Sequence, residues 1–501
     1  MKNKALKLST LLVAIASMGL VSCGDKSEAS SSETVDPSST YAKVEVPEGI
    51  TPQVTFWHTF GHNIEAAIKQ FGANFKAMVK QKEGIDVEMK FFQYGGYNDT
   101  INIVGSNLAI GKGPTMAVAY PDSIATLMVQ YDKNINMDPY INHEVYGLGS
   151  DGYLGDTIKG ESDFISSYLE EGRQFNVSGT YVLPYMKSSE VMLYNLDALK
   201  TIIPDYNSDV TEGMVQDYLS DITFDELMSI ADYIVKNKAK YGFDDLEYPV
   251  YYDSDSNMLI SHLEQKKLKF ATRGENDSVI LNLDSEADPE NYAAAYDILD
   301  TYRTWHKNGL ITTKGVENAY SSDYFKNKKC LFAIGSSGGS GYTFPDEFAL
   351  GVAKPPYAGD RRDAKYISQG PSIAFFNSKG VSDEQNYYNS VYSWKFYKYI
   401  TNTVNNVKTC VNNSEGYVPV KKSCYKSGPW QTYLADKDNN YVKVAKVIRN
   451  DIEDNFITSL VFNGSATYRT EATALVANVL STDTDIASLI ATAVSKTKLA
   501  M

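Results

Sequence analysis

Cysteine and histidine are scarce in this chain, and their scarcity removes several kinds of chemistry at once. Four cysteines occur in 501 residues, at positions 23, 330, 410 and 424, with no CxxC pair and no Cys/His spacing that suggests zinc. Apart from Cys23 their number is odd, so at least one thiol is unpaired or pairs with another chain. Cys410 and Cys424 flank a short loop, which leaves both a disulfide and two thiols open. Of the five histidines, His58 and His62 stand four apart, but Gly61 intervenes and a strand is expected to end near His58. Core or hydrogen-bonding histidines are therefore expected there rather than a metal site, and no cofactor is expected anywhere.

Signatures of catalysis are lacking too. Neither an HExxH helix nor a nucleophile elbow is expected, and nothing among the 62 acidic residues singles out a carboxylate pair of the glycosidase kind. The run Gly335 to Gly341 is glycine-rich but lacks the Gly-Lys-Ser/Thr ending of a P-loop, which leaves a plain turn or backbone amides offered to an anion or a hydroxyl. Asp253, Asp255, Asn257 and Glu264 occupy positions 1, 3, 5 and 12 of a calcium loop, yet position 6 is Met258 where the sharp turn needs glycine. Asp436, Asp438 and Asn440 repeat only the beginning of that pattern.

Positive charge is outweighed. Lys and Arg total 47 against 62 acids, a net charge of -15, and such a surface repels phosphate backbones, which argues against nucleic acid as a partner. After Cys23 no uninterrupted apolar run reaches the roughly 20 residues of a spanning helix.

What is present begins at the first residues. Lys2, Lys4 and Lys7 precede the largely apolar run Leu8 to Leu20, and then comes Leu20-Val21-Ser22-Cys23-Gly24. A basic segment, a short apolar core and a small residue before the cut describe a secretory signal. Cysteine as the first mature residue resembles the bacterial lipobox, so Cys23 is the expected lipid anchor. Residues 1–22 are then the signal peptide, and 23–49, rich in Ser, Glu, Asp and Pro, a tether with little to bury.

The body opens with an apolar strand, Gln53 to His58, followed by His62 to Lys82, where Ile64, Ile68, Phe71, Phe75, Met78 and Val79 recur at helical spacing. A strand from Asp86 to Phe92, a helix from Tyr97 to Ile110 and a strand from Thr115 to Ala119 continue the alternation, which implies parallel pairing in an α/β layer. In such sheets ligands gather at the carboxyl ends of strands, which here carry Trp57-His58, Gln93 to Tyr97 and Tyr120-Pro121-Asp122. Further strands are expected at Thr180 to Pro184, Glu190 to Asn195, Lys329 to Ile334, Phe348 to Val352 and Tyr366 to Phe376. Helices are expected from Thr223 to Lys240, opened by the capping box Thr223-Phe224-Asp225-Glu226, and from Pro289 to Lys307. The 37 tyrosines supply flat faces with polar tips, which suit polar ring-shaped ligands.

Six stretches in order, Val54 to His58, Tyr94-Gly95-Gly96-Tyr97, Leu183 to Asn195, Phe332 to Gly341, Gln369-Gly370-Pro371-Ser372 and Gly416 to Val420, resemble the extracellular solute-binding proteins of ABC importers, of the large type that carries sugars and glycerol phosphates. The resemblance implies an α/β, periplasmic-binding-protein-like fold: two lobes joined by hinge strands with the ligand in the cleft. The expected division is 50–180 and 325–370 for the first lobe and 181–324 and 371–501 for the second. The pattern is most similar to glycerol-3-phosphate binders. By position it implies ligand contacts at Tyr97, Ser188, Ser336 or Ser337, Gly370, Tyr417 and Arg469, the last offering a fork for phosphate or carboxylate. The acidic contact expected directly after Tyr120 is Pro121 here, with Asp122 following, and Trp57 is the remaining aromatic candidate. The implied partners are a sugar or glycerol phosphate and the subunits of an ABC permease, with the membrane touched through the lipid anchor only and the protein a monomer. A cell-surface glycoside hydrolase or lyase is the alternative reading, and an adhesin or structural lipoprotein the third.

Overall fold

The computed structural model describes residues 43–131, 133–150, 160–413 and 415–501. The signal peptide, Cys23 and the tether up to residue 42 lie outside the described residues.

Two five-stranded mixed sheets organise the chain. In the first, Gln53–His58 lies between Glu88–Gln93 at one edge and Met116–Ala119 at the centre, parallel to both; Ser372–Phe375 runs antiparallel to Met116–Ala119, and Val182–Pro184 forms the other edge, antiparallel to Ser372–Phe375. The helix His62–Glu83 arises from the apolar spacing that was read in the sequence, and it buries Ile64, Ile68, Phe71, Phe75 and Val79. Residues of Gln53–His58 alternate between faces as a pleated strand requires. Val54 and Phe56 join the larger core beneath helix Asp383–Ile400, and Trp57 joins a smaller one with Leu108, Ile124 and Phe376.

The second sheet runs Leu350–Ala353, Glu190–Asn195, Phe332–Ser336, Val250–Tyr252, Ile311–Thr313. Its strand Glu190–Asn195 is buried along its whole length. Helices Leu196–Tyr206, Phe224–Asn237, Asp255–Gln265, Pro289–Lys307, Ser465–Ser481 and Ile486–Ala500 supply the apolar faces around it. The helix at Phe224 starts where the sequence places its cap, with the Glu226 amide donating to the Thr223 hydroxyl at 3.0 Å.

Two expectations change. The strand expected from Tyr366 to Phe376 is two, Tyr366–Ile367 and Ser372–Phe375. Between them Gly370 adopts φ +105°, and a Cβ there would lie 2.5 Å from the Met186 carbonyl oxygen, so the chain turns where only glycine passes. Strand membership also differs for four strands: Phe332–Ser336 and Leu350–Ala353, expected in the first lobe, pair in the second sheet, and Val182–Pro184 and Ser372–Phe375, expected in the second, pair in the first. Linear order does not reveal which sheet a strand joins once the chain crosses between lobes more than once.

Three crossings meet side by side. The first leads from Val182–Pro184 to Glu190–Asn195, the second from Leu350–Ala353 to Ser372–Phe375, and the third, through Phe456–Ile457, reaches helix Ser465–Ser481. Ser188 and Gln369 exchange backbone bonds of 3.0 and 2.9 Å, Tyr366–Ile367 pairs with Phe456–Ile457, and Lys187 pairs with Val418 alongside. Cys330, Cys410 and Cys424 are buried free thiols, which resolves the open question in favour of reduced cysteines. No helix among the described residues is long and apolar enough to cross a membrane.

Candidate ligand-binding cleft

Between the two sheets a cleft of about 920 Å³ opens. The first lobe faces it with the helices Tyr97–Ala109 and Pro121–Tyr131, both of which begin at the carboxyl end of a strand. Across from them stand Ser256 and Asn257 of helix Asp255–Gln265, the loop at Thr458 and Ser459, and Thr467, Arg469, Thr470 and Thr473 of helix Ser465–Ser481. The crossing segment Ile367-Ser368-Gln369 forms the back.

One end of the cleft is a tyrosine cluster. Helix Tyr97–Ala109 is held at its start by the Asp99 carboxylate, which accepts from the Gly96 amide at 2.8 Å. Tyr97 then sits against Tyr120, ring centroids 4.4 Å apart. Burial, reinforced by the neighbouring tyrosines, raises the Tyr97 hydroxyl well above its usual range, and its hydrogen-bond partners are Tyr120 and Tyr417. The Tyr120 hydroxyl, raised by burial as well, also hydrogen-bonds with the backbone of Gly370. These hydroxyls stay protonated at any physiological pH, so the cluster offers neutral donors and acceptors.

Arg469 dominates the other end. Its Nη1 donates to the Ser459 hydroxyl at 3.0 Å and its Nη2 to Asn257 Oδ1 at 2.6 Å, while Nε lies 3.7 Å from Asp122 Oδ2 on the opposite lobe. Asp122 is in the first turn of its helix, where a negative charge is favoured by the helix dipole. Glu171, a further acid on the lining, is tied to Lys187 at 2.5 Å, both side chains buried. The remainder of the wall is largely hydroxyl and carboxamide groups.

Of the residues expected at the site, Tyr97, Asp122 and Arg469 line the cleft, and Tyr417 and Gly370 join through the tyrosine cluster. Ser188 and Ser337 belong to the crossing instead. Both are buried, Ser188 pairs with Gln369, and the Ser337 hydroxyl accepts from the Ser189 amide at 3.3 Å. Ser336 ends its strand exposed. Trp57 is buried behind the wall against Phe92 and Tyr94. Tyr120 stood at a strand end already picked out by the α/β pattern and Gln369 in a stretch that carried the family resemblance, whereas the signal at Asn257 pointed to calcium and Ser459 carried none.

Several motif readings dissolve on geometry. Gly335-Ser336-Ser337-Gly338-Gly339 does carry the Gly-x-Ser-x-Gly spacing of a nucleophile elbow, contrary to the expectation of none. Its Ser337 is nevertheless buried and hydrogen-bonded into the crossing, and the strand leads to a short 3-10 turn rather than a helix. The four calcium-loop positions face four different partners: Asp253 takes the Ser321 amide and hydroxyl, Asp255 takes Thr313 and Gly315, Asn257 bridges Glu190 and Arg469, and Glu264 pairs with Lys269. His58 is buried in its strand, and burial lowers it to about 4; His62 starts an exposed helical turn.

Comparison with known proteins agrees with this architecture. The family described as bacterial extracellular solute-binding protein matches residues 66–437. No curated protein sequence matches at a significant level. Among solved structures, the GacH receptor of Streptomyces glaucescens, determined unliganded and with acarbose, has a TM-score of 0.61 at 16% identity, over 90% of this chain and 99% of that one. UgpB from Mycobacterium tuberculosis, in complex with glycerophosphocholine, has a TM-score of 0.63 at 16% identity, over 90% and 98%. An ABC substrate-binding protein from Listeria monocytogenes, in complex with cycloalternan, has a TM-score of 0.63 at 13% identity, over 90% and 98%.

Proposed function

The chain belongs to the family of bacterial extracellular solute-binding proteins, and from that premise we propose that it captures a neutral oligosaccharide in the interlobe cleft and delivers it to an ABC permease. The observation that carries this reading is the balance of the wall. Its one guanidinium already faces a carboxylate across the cleft, and hydroxyls and carboxamides make up most of the rest. Such groups exchange hydrogen bonds with sugar hydroxyls without requiring a charge on the solute. At about 920 Å³ the cleft lies near the upper end of the roughly 300–1,000 Å³ usual for small-molecule sites, which favours several sugar rings over one.

Arg469 favours a second reading. If a phosphate displaced Asp122, the fork could hold it, and the ligand would then be a glycerol phosphate or glycerophosphodiester. A thermal-shift panel of maltotriose, acarbose, cycloalternan, glycerol-3-phosphate and glycerophosphocholine separates the two. At one hundred times its dissociation constant a binder adds about 2.7 kcal/mol. For lobes of this size that is a rise in Tm of roughly 5–10 °C. Stabilisation by phosphorylated compounds alone would reject the neutral-sugar reading.

The reading assigns binding without turnover, so intact oligosaccharide should be recovered after long incubation; accumulating fragments would move the protein to the hydrolases. Cys23 carries the anchor in this scheme. Metabolic labelling with an alkyne fatty acid should mark the protein, and Cys23→Ala should abolish the label and release the protein from membranes.

A further inference from the structure

Behind the cleft wall Glu190 opens a strand of the second sheet with a side chain almost wholly withdrawn from water. Both of its oxygens accept. Oε2 takes the Tyr252 hydroxyl at 2.6 Å, and Oε1 takes Asn257 Nδ2 at 3.0 Å. Asn257 turns its other end forward, where Oδ1 accepts from Arg469 Nη2 at 2.6 Å. A carboxamide has one donor end and one acceptor end, and a guanidinium only donates. Asn257 therefore keeps its orientation only while an acceptor stands behind it.

The geometry points to Glu190 as a positioning residue that fixes, through Asn257, the guanidinium of Arg469 at the place where the solute is bound; this rests on the cleft being the solute site. Glu190 does not line the cleft. It acts by holding a residue that does.

The arrangement as drawn suits the ionised carboxylate, to which both neighbours donate. Burial opposes ionisation and raises the carboxyl to about 7, countered by the bonds from Tyr252 and Asn257 and by the charge of Arg469, with Asp253 adding to the rise. The groups that face it come from three elements. Strand Val250–Tyr252 brings Tyr252, raised by burial far out of range, and the adjoining Asp253, raised by burial to about 6 and held by Ser321. Helix Asp255–Gln265 brings Asn257, and helix Ser465–Ser481 brings Arg469, beyond which Asp122 stands on the other lobe. When Glu190 takes a proton, its new O–H needs an acceptor. A proton on Oε2 is accepted if the Tyr252 hydroxyl turns round, and one on Oε1 if Asn257 does; the second sets an NH₂ group against the guanidinium, so Arg469 keeps Ser459 but loses Asn257, and in both cases the negative charge behind Arg469 is gone.

The test follows the Arg469 Nε–Hε resonance of the solute-free protein by NMR from pH 5.5 to 8.5. In parallel, the affinity of whichever of maltotriose, acarbose and cycloalternan binds most tightly is measured over the same range. In the wild type the resonance should titrate with a midpoint near 7, and affinity should rise about tenfold from the acid to the alkaline side. Glu190→Gln should flatten both profiles and bind about tenfold more weakly at the alkaline end. Tyr252→Phe removes one donor to the carboxylate, so both midpoints should move to higher pH while affinity at pH 8.5 stays within about threefold of wild type. A flat wild-type resonance, a Glu190→Gln profile that still titrates, or an unmoved Tyr252→Phe midpoint overturns the assignment. If Glu190→Gln does not fold, Tyr252→Phe decides. If none of the sugars binds the wild type, it is the solute reading that fails, and the resonance still decides the role of Glu190.

Discussion

Asp122→Asn probes whether the guanidinium of the cleft is cancelled by the lobe it faces. Arg469 Nε and Asp122 Oδ2 are 3.7 Å apart, and the two side chains keep 25% and 21% of their exposure. Two unit charges about 4 Å apart attract by about 4 kcal/mol at an effective dielectric constant of 20. Exposed pairs nevertheless yield only about 0.2–1 kcal/mol, whereas removing one partner of a buried pair costs about 3–5 kcal/mol. This pair lies between those limits, and about 1–2 kcal/mol is the expected effect, a factor of about 5–30 in an equilibrium constant. Asparagine preserves shape and removes charge. Affinity for glycerol-3-phosphate should therefore rise by that factor, while affinity for the tightest neutral oligosaccharide stays level or falls as the interlobe contact weakens. Isothermal titration calorimetry at low ionic strength and again near 1 M salt, where the Debye length is only about 3 Å, gives the ratio of the two affinities. An unchanged ratio, or a change that salt does not diminish, refutes the charge-cancellation argument.

Other consequences follow from the crossing, the core and the buried histidines. Gly370→Ala puts a Cβ against the Met186 carbonyl at φ +105°, so urea unfolding should show a loss of at least about 1–3 kcal/mol. Lys395 and Glu83 form a wholly buried pair at 2.7 Å. Lys395→Met should destabilise by about 3–5 kcal/mol, and adding Glu83→Gln should restore much of the loss. Burial lowers His262 to about 3, below the unfolded value near 6.5. The unfolded chain thus takes up this proton first, and the contribution to stability present above about pH 6.5 is lost as pH falls toward 3. His262→Gln removes that dependence, so its stability deficit should shrink by about 1.4 kcal/mol per pH unit over this window in denaturant titrations.

The opening of the first lobe, to Ala119, was legible in the sequence because each strand and helix there announces itself locally. Val54 and Phe56 alternate, Ile64 to Val79 keep helical spacing, and Gly96 and Tyr120 mark strand ends where a parallel sheet collects its ligands. The division between lobes was less legible. Gly370 sits in Ser368-Gln369-Gly370-Pro371-Ser372, a short polar link in a stretch that reads as one strand, and nothing local shows that its φ is positive or that Met186 crosses above it. Asn257 and Glu190 were hidden for another reason. Asn257 stands in a run of acids that suggests calcium, and its partners Glu190 and Arg469 are 67 and 212 residues away in the chain. Ser188 and Ser337 were drawn toward the ligand by position, but their polar groups are spent on the backbone that joins the lobes.

That junction has a mechanical consequence. A single strand between two bodies is a swivel, free to twist and to slide as well as to bend. Here Ser188 is laced to Gln369, Tyr366 and Ile367 to Phe456 and Ile457, and Lys187 to Val418, so the crossings form a narrow ribbon rather than separate cords. A hydrogen-bonded ribbon flexes across its thin direction and resists shear and torsion, like a leaf spring. A hinge so built confines any closing of the opposing walls to a single arc of approach, on which the Asp122–Arg469 contact seen here lies.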